Sequence, residues 1–456
     1  MTCSRRSTVL VSVLLAFSIA RPLTAQAVTA ATVAIEEARV REVLGYLASD
    51  RLAGRDSPSP GQREAALYLA WNFARAGLSP VAGKSADESP NWFHRYTAPG
   101  FAFDGGENRA WMTVGDTERE LLPFVEFRLW ETGRAFTGGG FSLAPTAATT
   151  TDSQEQRRDL SARSLRLFEV DTTSPVWLAA DRGRQIISRR LAGSAPRVLL
   201  PRGLAPAGAT FRFEFAAPRE LAVPLENVMA WLPGTTRADE FVIVCAHYDH
   251  IGIAPSVGDR DAINNGADDD ATGTTAVLLL AEHFARQATR PSRSLLFVAF
   301  SAEEKGLRGS SAFVADPPVP LEKIAAVVNL EMLGRPEPNR APYVWITGKD
   351  YSDFAAIAGE ALDDSGVELS DFAMARQLFG ASDNFPFARA GVVAHSISAG
   401  SLHRDYHRPS DEAEKIDHTH MTAVIGGIAR VVAAFADRDA APAWNDAGRE
   451  AIRSGR

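Results

Sequence analysis

Apolar runs and helical periods follow one another through the second half of the chain. Continuous apolar runs at Phe241–Ala246, Ser294–Phe300, Ile324–Leu330 and Val392–Ser398 predict buried strands, and the periodicity of Thr274–Arg286 predicts a helix. Strands that alternate with helices favour an α/β fold with a mostly parallel central sheet flanked by helices. Ligands bind such sheets at the carboxyl ends of the strands, so we expect the chemistry there.

The remainder of the chain divides by its pattern into three further parts. Apolar residues at helical spacing predict two surface helices, Ala38–Ser49 and Arg63–Ala76, within an N-terminal helical part, residues 28–98. The α/β pattern itself occupies residues 223–437. The polar residues 438–456 predict a loosely ordered tail.

Between these parts, residues 99–222 carry short β-rich runs and no long helical period. The runs Leu165–Val170, Val176–Ala179 and Thr210–Phe215 predict strands, interrupted by glycines and by a polar stretch. We therefore expect a β-rich insert in an otherwise α/β chain.

The first residues are typical of a signal peptide rather than of a folded domain. Arg5 and Arg6 precede the apolar run Val9–Ala20, and Ala25–Ala27 supplies a small-x-small cleavage site, which predicts a signal peptide of residues 1–27. The apolar run is shorter than the roughly 20 residues that a membrane span needs. We therefore expect an exported protein, periplasmic or secreted, with no stable membrane insertion after cleavage.

Charge and cysteine content exclude further classes. The 456 residues include 48 Lys and Arg against 56 Asp and Glu, a net charge of -8 without a basic run, so we expect no nucleic-acid partner. Of the two cysteines, Cys3 leaves with the signal peptide and only Cys245 remains, which excludes an internal disulfide in the mature chain.

Histidines are unevenly distributed, since eight of the nine lie between His247 and His420. The strand Phe241–Ala246 leads directly into His247-Tyr248-Asp249-His250. A carboxylate two residues after an imidazole can accept its second ring N–H and so orient it for a metal, although a surface turn is the better explanation of this tetrapeptide taken alone.

Carboxylates also follow the other predicted strands, and three more lie in the turn before the predicted helix. Asp268-Asp269-Asp270 repel one another unless a cation or helix N–H groups bind them, and helix capping explains only part of the run. Glu303-Glu304 could divide the tasks of base and metal ligand, and Glu331 would be costly to bury unpaired. The segment Asp405–Asp411 adds Tyr406 and His407. Each piece has a plain alternative as a solvated turn, but their joint order indicates a site.

These motifs resemble the co-catalytic di-zinc aminopeptidase family, which includes glutamate carboxypeptidase and the non-catalytic transferrin receptor. The resemblance covers about residues 223–434 and the paired N-terminal helices. It implies a zinc-exopeptidase-like fold and two zinc ions per chain, bound by five side chains: His247, Asp269, Glu304, Glu331 and His407. Asp269 would bridge the ions, with His247 and Glu331 on one, and Glu304 and His407 on the other.

The same resemblance assigns three further roles. Glu303 would be the general base, Asp249 the partner that orients His247, and Tyr406 a hydrogen-bond donor to the substrate carbonyl oxygen. Two positions depart from the family pattern: Glu331 stands where Asp is usual, and Asn384 where His is common. The insert lies where some members carry a protease-associated domain.

The resemblance implies an exported zinc-dependent exopeptidase, an aminopeptidase that acts on peptides with a free N-terminus through a metal-activated water. A carboxypeptidase or dipeptidase of the same fold stays open, and so does a non-catalytic binding relative, although no ligand or base is missing. The five-ligand set argues against a single-zinc glutaminyl cyclase. Side-chain preference and oligomeric state stay open as well.

Overall fold

The computed structural model describes residues 34–81, 90–103, 108–143, 165–180, 184–187, 195–255, 261–340, 342–400 and 402–455. The signal peptide predicted at residues 1–27 lies outside these ranges. The strands are β1 (Phe93–Ala102), β2 (Arg109–Val114), β3 (Thr117–Leu121), β4 (Arg128–Glu131), β5 (Phe136–Phe141), β6 (Arg166–Val170), β7 (Gln185–Ile186), β8 (Arg197–Pro201), β9 (Thr210–Phe215), β10 (Arg219–Leu232), β11 (Arg237–His247), β12 (Gly252–Ile253), β13 (Ile263–Asn264), β14 (Arg293–Phe300), β15 (Ile324–Leu330), β16 (Tyr343–Ile346), β17 (Glu368–Leu369) and β18 (Ala394–Ser398). The helices are α1 (Glu37–Leu47), α2 (Pro60–Arg75), α3 (Pro175–Ala179), α4 (Gly273–Arg286), α5 (Arg308–Ala315), α6 (Phe354–Leu362), α7 (Asn384–Arg389), α8 (His418–Asp437) and α9 (Asp446–Ser454).

A nine-stranded sheet forms the centre of the fold, in the order β17-β16-β18-β15-β11-β14-β10-β1-β7. The four adjacent strands β14, β11, β15 and β18 are parallel. Strands β10 and β1 on one side and β16 on the other pair antiparallel, so the sheet is mixed and is parallel in its middle. The predicted α/β class is confirmed.

Residues along β11 alternate between two buried cores, which explains why its sequence is continuously apolar. Val242 and Val244 face the core formed with α1, α2, α4 and α8. Ile243 and Cys245 face the core on the other side, where Phe313 of α5 and Phe387 of α7 pack. The two helical layers therefore fix the direction of every side chain that leaves the end of this strand.

The N-terminal helices follow the prediction with shifted ends. Helix α2 begins at Pro60 rather than Arg63, because the Ser59 hydroxyl accepts a hydrogen bond from the backbone N–H of Gln62 and proline suits the first helical position. The apolar period alone begins later, at Ala65.

The insert forms two small sheets with a hydrophobic core of their own. The four-stranded sheet has the order β3-β2-β9-β5, and the three-stranded sheet has the order β4-β8-β6. The strand predicted at Val176–Ala179 is wrong: this segment is helix α3, because Ser174 caps it and Pro175 occupies its first position. Trp177 packs near Ile253 of β12, so the insert contacts the segment that follows His250.

The C-terminal residues are more ordered than the polar composition predicts. Asn445 caps helix α9, and Ala451 packs with Tyr351 and Phe379. Of the described residues, one helix, α8, is long and apolar enough to cross a membrane by length and composition alone. Its buried side chains, Val424 and Ile428 among them, lie in the core beneath the central sheet.

Candidate metal centre

The side chains that the sequence singled out lie along one edge of the central sheet. Strand β11 ends at His247, β14 is followed by Glu303 and Glu304, and β15 is followed directly by Glu331. His407 lies on the loop that continues from β18. Because these four parallel strands are neighbours, their carboxyl ends bring residues distant in sequence to one place.

Three of these residues form what we call the first group: His247, Asp269 and Glu331. Nε2 of His247 lies 3.3 Å from Oδ1 of Asp269 and 3.4 Å from Oε1 of Glu331. The two carboxylates and the imidazole thus turn one ligand atom each toward a common point.

Four residues form the second group: His250, Asp269, Glu304 and His407. Nε2 of His407 lies 3.0 Å from Oδ2 of Asp269 and 3.2 Å from Oε1 of Glu304. Nδ1 of His250 lies 2.9 Å from the same Glu304 oxygen. Asp269 belongs to both groups and offers one oxygen to each.

His250 is the member of these groups to which the sequence interpretation gave no role. It was visible as the last residue of the tetrapeptide that begins at His247. Its position three residues beyond the strand does not reveal its direction, which is set by a backbone bridge between His250 and Asp56.

The three consecutive aspartates have different partners, which resolves why three like charges stand together. One oxygen of Asp268 accepts hydrogen bonds from the Gly334 backbone N–H, and one of Asp270 accepts from Gly273 and Met332. These two carboxylates therefore fix loops, and Asp269 alone faces both ligand groups.

Glu331 is held by a chain of hydrogen bonds. The Ser382 hydroxyl donates to Oε2 of Glu331 at 2.6 Å, and it accepts from the Asn329 side chain at 2.9 Å. Asn329 also donates to Ser396, which in turn donates to Asn384. Asn384 thus has a defined place at the far end of the chain that orients Glu331.

Asp249 contacts His247 mainly through its backbone. Nδ1 of His247 lies 3.1 Å from the Asp249 carbonyl oxygen and 3.8 Å from its carboxylate. The carboxylate accepts a hydrogen bond from the Glu303 backbone N–H at 3.1 Å. The orienting contact expected from the side chain is therefore made by the main chain, and the side chain fixes the turn that carries Glu303.

Charges in the centre perturb one another strongly. Burial raises the pKa of Glu303 well above its usual range, and the carboxylates of Glu304, Asp383 and Glu331 add to this rise although His247 opposes it. Burial also acts to raise the pKa of Glu304, but contacts with His250 and His407 outweigh it and lower that pKa to about 2. The pKa values of the two adjacent glutamates are thus shifted in opposite directions, which favours the protonated form of Glu303 and the ionised form of Glu304.

Tyr406 lies at the mouth of the centre beside the second group. Its side chain is 39% exposed, and its ring stacks on the His407 ring with 3.9 Å between centroids. Burial and the nearby carboxylates, Asp269 first among them, raise the pKa of its phenol, so the hydroxyl keeps its proton.

Arg55 is a further residue that the sequence interpretation missed. Its guanidinium is buried and donates to the carbonyl oxygens of Tyr248, Asn265 and Gly266 at 2.7–3.1 Å. It therefore ties the N-terminal helical part to both loops that carry the ligands. The signal was one arginine in a Gly-rich turn, which does not by itself distinguish a buried cation from a solvated one.

The donor set fits zinc. Three buried atoms of the second group, His250 Nδ1, Asp269 Oδ2 and Glu304 Oε1, have no aligned hydrogen-bond partner. Imidazole and carboxylate donors without thiolate suit zinc in a hydrolytic site. The four carboxylates around the centre, those of Asp269, Glu303, Glu304 and Glu331, would be neutralised by two divalent cations.

Comparisons with known proteins agree with this geometry. Residues 227–432 match the model of peptidase family M28. Among curated proteins, aminopeptidase YwaD of Bacillus subtilis is 26% identical over 206 residues, which cover 41% of this chain and 40% of that protein. A probable zinc metalloprotease of Pyrenophora teres is 34% identical over 112 residues, 25% of this chain and 23% of that protein. The chain thus matches less than half the length of these relatives.

Solved structures show the same fold. A zinc aminopeptidase from Bacillus subtilis superposes with a TM-score of 0.56 at 17% identity, covering 89% of this chain and 96% of that one. An aminopeptidase from Aneurinibacillus gives a TM-score of 0.50 at 17% identity, with 89% and 95% covered. The family resemblance found in the strand-end motifs is confirmed: residues 227–432 match peptidase family M28, and the chain shares the fold of solved zinc aminopeptidases.

Proposed function

We propose that the protein is a zinc-dependent aminopeptidase that removes residues from the free N-terminus of peptides. The observation that carries the proposal is the pair of ligand groups that share Asp269, with Glu303 adjacent in sequence to Glu304 of the second group. Aminopeptidases among its relatives favour this direction of attack over carboxypeptidase action. Two zinc ions per chain follow from the two groups.

Zinc bound at this centre would make a water acidic at neutral pH and polarise the carbonyl of the scissile bond. Glu303 takes the proton from that water and later delivers it to the leaving amine. Burial raises the pKa of Glu303, so the carboxyl group holds the proton that it has taken until the amine leaves. The Glu303 backbone is fixed by Asp249, so the base keeps its direction.

Tyr406 donates its phenolic hydrogen to the oxygen that becomes negative when water adds to the carbonyl. A donor placed before the reaction costs no reorganisation when that charge forms. The raised pKa of the phenol keeps the hydrogen on Tyr406 over the working pH range. Stacking on His407 holds the ring in place.

We propose export as well, since residues 1–27 have the three regions of a signal peptide. N-terminal sequencing of the protein recovered from outside the cytoplasm tests this directly. The expected first residue is Val28, and an intact N-terminus on the exported protein contradicts the cleavage.

The experiment for the activity uses amino-acid arylamides with a free amine, the same compounds with a blocked amine, and N-blocked dipeptides. We expect cleavage of the free-amine substrates alone, loss of cleavage with a chelator, and recovery with zinc. Glu303→Gln is the matched control, since it removes the base and keeps the ligands. Cleavage of N-blocked dipeptides at their C-terminal residue would replace the proposal with a carboxypeptidase.

A further inference from the structure

Two fully buried histidines of the same domain differ in what surrounds their rings. His395 is 0% exposed, and its nitrogens lie 2.7 Å from the Ser352 hydroxyl and 2.7 Å from the Thr347 carbonyl oxygen. His250 is also 0% exposed, but neither ring nitrogen has an aligned hydrogen-bond partner. Burying a polar group without a partner is costly, so His250 lacks what makes His395 a stable part of the core.

The position of the His250 ring is set by a glycine. Gly266 has φ +56, and a Cβ at that residue would lie 2.5 Å from two carbons of the His250 ring. The ring therefore occupies the space that a side chain at Gly266 would fill, two residues before the first aspartate of the run. It meets the His407 ring edge to face, with 5.5 Å between centroids.

Distances within the second group fit four ligands around one ion. A tetrahedral zinc site with bonds of about 2.0 Å separates neighbouring ligand atoms by about 3.3 Å. Nδ1 of His250 lies 2.9 Å from Glu304 Oε1 and 3.7 Å from Asp269 Oδ2. His407 Nε2 lies 3.2 Å and 3.0 Å from the same two oxygens. Four of the six distances between pairs of ligand atoms therefore lie on either side of the separation expected for a tetrahedral site.

We infer that His250 is a fourth protein ligand of the second zinc, through Nδ1. This inference rests on the proposed function, because it assumes that both groups bind zinc. The second group then fills a tetrahedral site with protein atoms alone, whereas the first group offers three. A four-ligand site is typical of zinc held for structure, and a three-ligand site keeps a position open for water or substrate.

The asymmetry assigns different tasks to the two groups. The open position falls to the first group, which offers three donors. The second group holds its ion tightly and fixes Asp269, the ligand that both groups share. His250 thus favours retention of the second ion rather than the chemical step.

The test measures zinc affinity in the full-length protein after removal of metal with a chelator. Zinc is titrated against a chromophoric chelator for wild type, His250→Ala and His250→Gln. We expect wild type to bind two zinc ions, and both variants to bind one of them more weakly by well over about 100-fold. This loss exceeds the 10–100-fold that removal of an outer partner causes. With cobalt in place of zinc, both variants should lose the part of the intense visible absorption that comes from the second site, whereas the first site keeps its own.

His283→Gln is the matched control, because it removes another buried imidazole. His283 lies in the last turn of α4, whereas the aspartate run that faces the ligand groups precedes the first turn. Metal-free melting curves of all variants separate loss of a ligand from loss of the fold, and His250→Gln serves if the alanine variant does not fold. Two zinc ions bound by both His250 variants with wild-type affinities overturn the inference. An equal weakening of both ions overturns the asymmetry, whereas wild type that binds no zinc overturns the proposed function instead.

Discussion

The two ligand groups share one aspartate and differ in almost everything else. The second group has four donors, and the side chains of His250 and Glu304 within it are 0% and 7% exposed and hold atoms without an aligned hydrogen-bond partner. The first group has three, and Glu331 within it is 19% exposed and hydrogen-bonded to Ser382. With zinc in both groups, as we propose, the difference separates holding from reacting: the second group closes its site with four protein donors, and the first leaves one position for water or substrate.

The largest expected effect separates the adjacent glutamates. Glu303→Gln should lower kcat by about 10²–10⁴-fold with metal content unchanged, because a general base contributes that much to the rate. Glu304→Gln should instead lose metal from the second group. Steady-state kinetics and elemental analysis of both variants check this. A loss well below tenfold in Glu303→Gln would reject Glu303 as the base.

The next effect tests whether Tyr406 belongs to the reaction or to the second group. Tyr406→Phe keeps the ring that stacks on His407 and removes only the hydroxyl. We expect kcat to fall by about 10²–10³-fold with KM and zinc content near wild type, as for removal of one oxyanion donor. A rise in KM at constant kcat contradicts the donor role, and loss of zinc would show that Tyr406 holds His407.

Removal of metal should lower stability, since a ligand that binds only the folded state stabilises it by mass action. At free zinc 100 times the dissociation constant, each site contributes about 2.7 kcal/mol. Thermal unfolding with and without a chelator measures the loss, and Glu304→Gln should show a smaller chelator effect than wild type. An unchanged melting curve of wild type would contradict metal binding in both groups.

The smallest effect concerns the support of the first group alone. Ser382→Ala removes the hydroxyl that donates to Glu331 at 2.6 Å. Outer partners of this kind are worth about 10–100-fold in metal affinity, so one zinc should bind that much more weakly. Zinc titration of this variant beside His250→Ala should show the two weakened ions to be different ones. The same ion weakened in both variants would remove the distinction between the groups.

Much of the fold could be predicted because the central strands carry an unambiguous pattern. Strand β15 was predicted with its observed ends, Ile324 and Leu330, since both faces of the sheet are buried. Val176–Ala179 was predicted as a strand from composition, and two capping residues made it a helix. The tail was misjudged because packing of Ala451 and Trp444 against the domain and the Asn445 cap order it, and composition does not reveal such contacts.

The site divides in the same way. His247, Asp269 and Glu304 could be found because each follows or precedes a predicted element in the family's order. His250 and Arg55 could not, since their roles depend on long-range closure: a bridge to Asp56 directs the first, and burial beneath two loops gives the second its partners. The positions of strand ends can therefore be predicted from the sequence, whereas the direction of a side chain in a loop cannot.

The most direct measurement is anomalous X-ray diffraction at the zinc edge from crystals of the zinc-loaded protein. The account predicts two peaks about 3.5–4 Å apart on either side of Asp269, as in other two-metal sites. His250 Nδ1 should lie at bonding distance, about 2.0–2.1 Å, from the zinc that Glu304 and His407 bind. A single peak, or two peaks with His250 turned away from both, would contradict it.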